Sequence, residues 1–144
     1  MSKFRFLPEV ATGGVAFEAF GKNERELLKN AALALEEAMV DIKTIKSRNK
    51  ETITMRDADF GKLLFDFLEH LVFLKHAKQL LFRDIRVGVE KEGKSWVMQG
   101  FAYGERVDPD RHKLKVNVKG LAKELFDVGK TKSGHYRAQV VLGI

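Results

Sequence analysis

The sequence predicts an α+β fold, a largely antiparallel sheet covered by two main helices. Two stretches repeat apolar residues at helical spacing, and almost everything after Leu80 alternates like strands. Glycine-bearing turns divide that second half at hairpin distances. At 144 residues the chain fits one domain spanning 1–144. A chain this long buries about 68–70% of its unfolded surface, enough for a core without staples.

The elements follow in order. Lys3 to Leu7 alternates polar and apolar like a short strand, which Pro8 ends. Thr12-Gly13-Gly14 is a turn signal, and Val15 to Phe20 reads as a second strand. Asn23 with Glu26 three residues on forms a variant capping box. The helix it starts, Glu24–Val40, carries Leu27, Leu28, Ala31, Leu35, Ala38 and Met39 on one face. Glu51–Arg56 alternates again as a strand. A second helix begins near Asp57 or Asp59 and runs to about Lys75, with Phe60, Leu63, Leu64, Phe67, Leu68, Leu71 and Leu74 at spacings of three and four. Phe65, Val72 and Phe73 widen its stripe, so it is expected to be the more deeply buried helix. Leu81–Val89 and Trp96–Tyr103 flank the turn Lys91-Glu92-Gly93-Lys94. Leu114–Val118 reads as another strand. Leu125–Val128 and Tyr136–Leu142 flank the loop Gly129–His135 as a second hairpin.

Composition excludes several classes. With no cysteine, disulfides, thiol catalysis and thiolate metal sites are impossible. The N-terminus has no signal-peptide pattern, and no run approaches the ~20 apolar residues that span a bilayer, so a cytoplasmic protein is expected. The net charge of +6 favours phosphate backbones or acidic partners. Its visible clusters, Lys43, Lys46, Arg48 and Lys50, then Lys130 and Lys132, read as solvated loops and hairpin ends. No aromatic nucleic-acid signature interleaves with them in sequence.

Candidate chemistry is sparse. No serine sits in a Gly-x-Ser-x-Gly elbow. His70, His76 and His135 lack metal-ligand spacing and read as surface or boundary histidines. Gly13-Gly14 lacks the phosphate-loop pattern. His112 closes the polar loop Gly104–His112, where Asp108-Pro109-Asp110 makes a turn. Lys119 ends the Leu114–Val118 strand.

Several segments stand in a familiar order: Phe6-Leu7 before Ala11-Thr12-Gly13-Gly14-Val15, Leu27–Asp41, Asp59–Leu74, the loop with Gly104-Glu105, Asp108-Pro109 and Arg111-His112, Val118-Lys119-Gly120, and the closing Val-Val-Leu-Gly-Ile. This order and spacing resemble the archease family over nearly the whole chain. The resemblance implies a single archease-like domain that is not an enzyme. It would be a cofactor protein for the GTP-dependent tRNA-splicing RNA ligase RtcB, promoting its guanylylation and multiple turnover in tRNA processing. Lys119, Arg111 and His112 match family positions and become the ligase-activation candidates. Family members also bind a divalent, calcium-type metal through an aspartate of the first turn, a penultimate aspartate and the terminal residue. Those places fall on Thr12, Gly143 and Ile144, and only Ile144 keeps a carboxylate, that of the chain end. Calcium sites want about 6–8 oxygen ligands, several of them charged, so the expected metal affinity is weak. Substitution by a neighbouring carboxylate such as Asp41 is the alternative. The family's Thr-Tyr-His is not matched by Ala122-Lys123-Glu124. For the activator, RNA is expected as a partner only indirectly, and two other readings remain beside it: a metal-free binding or chaperone-like module, and a basic RNA-binding domain.

Overall fold

The structure is a computed structural model that describes residues 3–7 and 14–144. The expected strand stop at Pro8 and the turn at Thr12 and Gly13 lie outside the described residues. The elements run β1 (Phe4–Phe6), β2 (Val15–Gly21), α1 (Glu24–Met39), β3 (Asn49–Asp57), α2 (Phe60–Lys78), β4 (Leu80–Glu92), β5 (Ser95–Arg106), β6 (Gly120–Leu121), β7 (Asp127–Lys130) and β8 (Tyr136–Gly143). Short 3-10 turns occupy Ile42–Thr44 and Lys123–Leu125. No helix among the described residues is long and apolar enough to cross a membrane.

The strands form two antiparallel sheets rather than one. In the first, β8 pairs with β2 along one edge, and β7 and then β6 follow its other edge; β1 extends the β2 side. The second has the order β3-β5-β4. Both sheets and both helices feed one contiguous hydrophobic core.

α1 starts as the capping box predicts. Asn23 Oδ1 accepts the Glu26 N–H at 2.9 Å, and Glu26 Oε1 accepts the Lys22 N–H at 3.0 Å. Asp59 caps α2, accepting the Gly61 N–H at 2.9 Å. The expected order of burial is reversed: α1, not α2, is the more deeply buried helix. It packs on β2 and β8 of one sheet and on β4 of the other, so its residues from Leu27 to Met39 are covered almost all round. Small residues fit that two-sided contact, and Ala31, Ala32 and Ala34 are fully buried. α2 keeps an exposed side, where Phe73 is 56% exposed.

β4 and β5 make a long hairpin closing at Gly93, whose φ of +61° favours glycine. A bulge at Arg83 interrupts the register between Phe82 and Asp84. Opposite it the chains nearly touch, since a Cβ on Gly104 would lie 1.9 Å from the Leu81 carbonyl oxygen. The bulge turns the Phe82 N–H toward α1, where Glu36 Oε1 accepts it at 2.8 Å.

The strand expected at Leu114–Val118 is absent; only an isolated bridge joins Val40 to Leu114. Its alternation is real, with Val118 buried, but its partner is a helix end. The Lys115 N–H donates to the Met39 carbonyl at 2.9 Å, and the Val116 N–H to Ala38 at 3.2 Å. The segment thereby satisfies carbonyls that the last turn of α1 leaves without helical donors. Pairing resumes beyond Lys119, at β6. The other late strand begins at Asp127 rather than Leu125, because Lys123–Leu125 turns as a 3-10 helix first.

Candidate functional site

The sequence-derived candidates fall into two groups, and no hydrogen bond or ion pair joins the groups among the described residues. The first is built on the loop after β5. Asp108 organises it: its carbonyl accepts the Arg111 and His112 N–H groups at 3.1 and 2.8 Å, and its Oδ1 accepts the Asp110 N–H at 3.1 Å. The Asp108 N–H donates to His112 Nδ1 at 2.9 Å. That fixes the tautomer, so the proton sits on Nε2, which donates to Glu105 Oε2 at 2.9 Å. Arg111 Nη2 donates to Glu105 Oε1 at 2.7 Å, and the Lys46 N–H to Oε2 at 2.7 Å.

Glu105 is therefore the hub, a role the sequence does not announce. The Arg111 hydrogen bond outweighs burial and, with His112 and the Lys46 amide, holds its carboxyl well below the usual carboxylate range. A carboxylate so fully engaged is poor as a general base and serves to lock geometry. The loop is also tied to the turn after α1. Arg111 Nη1 donates to the Thr44 carbonyl at 3.3 Å, and the Asp41 N–H to the Lys113 carbonyl at 2.9 Å. Asp41 Oδ1 caps that turn through the Lys43 N–H at 3.1 Å.

The second group lies at the end of β8. β6 pairs Gly120 with Gly143 and Leu121 with Leu142, and the Lys119 N–H donates to the Gly143 carbonyl at 2.8 Å. Three candidates, Lys119, Gly143 and Ile144, are thus brought together by strand pairing. On the opposite edge of β8, Val15 pairs with Leu142, so the start of β2 also reaches this end. Thr12 lies outside the described residues. Glu69 on α2, which the sequence reading passed over, also reaches here: its Oε1 accepts the Leu121 N–H at 2.6 Å. Periodicity hid it, since it occupies a polar position of α2.

The residues described here do not fit a calcium-type ion. Gly143 has no side chain and its carbonyl already accepts from Lys119, while Glu69 Oε1 accepts from Leu121. No group of three or more acidic or histidine ligands occurs among the described residues. Among the described residues, the Glu69 carboxylate is the acidic side chain hydrogen-bonded to this strand end, short of the several charged oxygens such an ion prefers. Among the described residues, this end offers the exposed Lys119 beside Gly143 and Ile144 on one strand edge.

Comparison with known proteins gives a consistent result. The model of the archease protein family (MTH1598/TM1083) matches residues 4–144. The chain is 30% identical to protein archease of Methanosarcina barkeri over 134 residues, 92% of this chain and 91% of that protein. It is 29% identical to protein archease of Pyrococcus furiosus over 130 residues, 90% and 92% of the two chains. Protein archease of Sulfurisphaera tokodaii is 27% identical over 144 residues, the whole of both. The solution structure of Methanobacterium thermoautotrophicum protein 1598 superimposes with a TM-score of 0.87 over 100% of both chains, at 26% identity.

Proposed function

This chain belongs to the archease family, and from that premise we propose that it is a non-catalytic activator of the tRNA-splicing RNA ligase RtcB in the cytoplasm. The observation that supports the reading is the family match across residues 4–144 together with Lys119 held on the C-terminal strand end. Activation acts through contact: the exposed Lys119 ammonium and the exposed Ile144 meet the ligase, promoting its guanylylation and repeated turnover. Arg111 and His112 contribute differently, since both are spent on Glu105. They hold the loop at 107–113 in shape rather than touching substrate.

In this reading, metal contributes little. Thr12 and Gly143 stand where the family's carboxylates are expected, and the calcium-type ion of that resemblance is bound weakly at best. A metal-free binding module has the same observation in its favour.

The test is capture of the partner ligase on the immobilised chain, followed by measurement of ligase guanylylation with GTP. Capture with stimulation, both reduced by Lys119→Ala, supports the activator. Capture without stimulation selects the binding module, and neither capture nor stimulation removes both.

A further inference from the structure

The end of β2 meets the first turns of α1 in a surface cleft of about 370 Å³. Four cationic side chains line it: Lys3 before β1, Lys22 at the β2–α1 junction, and Arg25 and Lys29 one turn apart on α1. Neither Lys119 nor Gly143 borders it. Lys3 is far in sequence from the other three, and those three are spaced along the β2–α1 junction and α1, so no run of basic residues marks them.

Their electrostatic situation is unusual for this molecule. Arg5 and Arg137 both pair with Glu18, Lys62 with Asp57 and Asp66, and Lys78 with Glu51. The four cations of the cleft have no ion pair among the described residues. The one carboxylate in the lining, Glu26, is engaged by the Lys22 N–H as part of the helix cap. Like charges gathered without ion-pair partners repel, and an anion between them relieves that repulsion. The first turn of α1 is capped by Asn23 and carries Glu24 and Glu26, of which only Glu26 lines the cleft. His135, from the hairpin that carries Lys130 and Lys132, also lines the cleft; its Nδ1 is buried and has no hydrogen-bond partner among the described residues.

We propose that this cleft is a phosphate-binding site, taking the polyphosphate of a nucleotide or successive phosphates of a single RNA strand. Lysines and an arginine spread around an open cleft suit several phosphate oxygens at once rather than a single carboxylate. The site is separate from the C-terminal strand end and does not rest on the ligase reading.

The full chain is titrated with tripolyphosphate and with GTP by calorimetry, and with a short labelled single-stranded RNA by fluorescence anisotropy. Each is repeated at low and at physiological salt. The test variant is the triple Lys22→Ala, Arg25→Ala, Lys29→Ala. A charge-matched control is Lys43→Ala, Lys113→Ala, Lys123→Ala, at exposed positions outside the cleft lining. At least one probe is expected to bind, more weakly as salt rises, with the triple variant losing about tenfold or more in affinity and the control under about twofold. GTP or tripolyphosphate binding as well as RNA assigns the site to a nucleotide; RNA binding alone assigns it to the strand. A readout independent of the variants is protection of Lys22 and Lys29 from amine acetylation by the bound probe. Absence of binding by all three probes, equal loss in both variants, or no protection overturns the proposal.

Discussion

Glu36 is the residue whose chemistry fits its surroundings least. It is fully buried in the last turn of α1; one oxygen accepts the Phe82 N–H and the other, Oε2, has no partner among the described residues. Burial pushes its carboxyl up to about 8, against smaller downward pulls from the Phe82 hydrogen bond and the Lys75 charge. The sign follows from linkage. An acid whose folded value lies above its unfolded 4.5 costs nothing below that pH and progressively destabilises the fold as pH rises toward about 8. Each pH unit in that window removes up to about 1.4 kcal/mol. Glu36→Gln keeps an acceptor for Phe82 and cannot ionise. Urea unfolding at pH 8 is expected to find the variant more stable than the parent by roughly 1–4 kcal/mol, with the gain gone at pH 5. An equal difference at both pH values would refute this account of Glu36. Glu105 is the opposite case, a buried carboxylate kept charged by an arginine, a histidine and an amide. Nothing in the sequence separates the two, because partner geometry, not residue type, decides whether a buried acid ionises.

At the scale of elements, what was legible depended on where the partners lie. The α1 and α2 caps and the β4–β5 hairpin are local devices, so Asn23, Glu26, Asp59 and Gly93 could be read directly. The segment 114–118 could not. Its apolar alternation is that of a strand, and only the fold reveals that its amides face the carbonyls of Ala38 and Met39. The relative burial of the helices was misread for a related reason. A wide apolar stripe marks a helix on one sheet, whereas a helix held between two sheets needs small residues, which look less hydrophobic. If residues 114–118 cap α1, Lys115→Pro should cost about 1–3 kcal/mol by leaving the Met39 carbonyl unsatisfied. Lys115→Ala, which keeps the N–H, should cost well under about 1 kcal/mol. Chemical denaturation of both variants measures this; equal losses would make the N–H irrelevant.

For the whole molecule, the α+β class was legible from periodicity, but its division into two sheets was not. Only long-range pairing brings β1 and β2 beside β8, and β3 beside β5. The same distance in sequence separates the pieces of both candidate regions. Lys119 meets Gly143 through β6–β8 pairing, and Lys3 joins Lys22, Arg25, Lys29 and His135 only in the folded chain. Residue spacing alone therefore left the chemistry open, and segment order carried the family expectation that the comparisons support.

The central claim is an activator that works with little help from metal because two carboxylates are missing. Gly143 suits the direct test, since among the described residues a Cβ there would meet only the Gly120 carbonyl oxygen, at 3.7 Å. The decisive measurement is multiple-turnover RNA joining by the partner ligase, with added calcium titrated against the parent chain and the double variant Thr12→Asp, Gly143→Asp. The account predicts stimulation by the parent that changes less than about twofold across the titration, and higher, calcium-dependent stimulation by the double variant. Strong calcium-dependent stimulation by the parent, unchanged in the double variant, would contradict it.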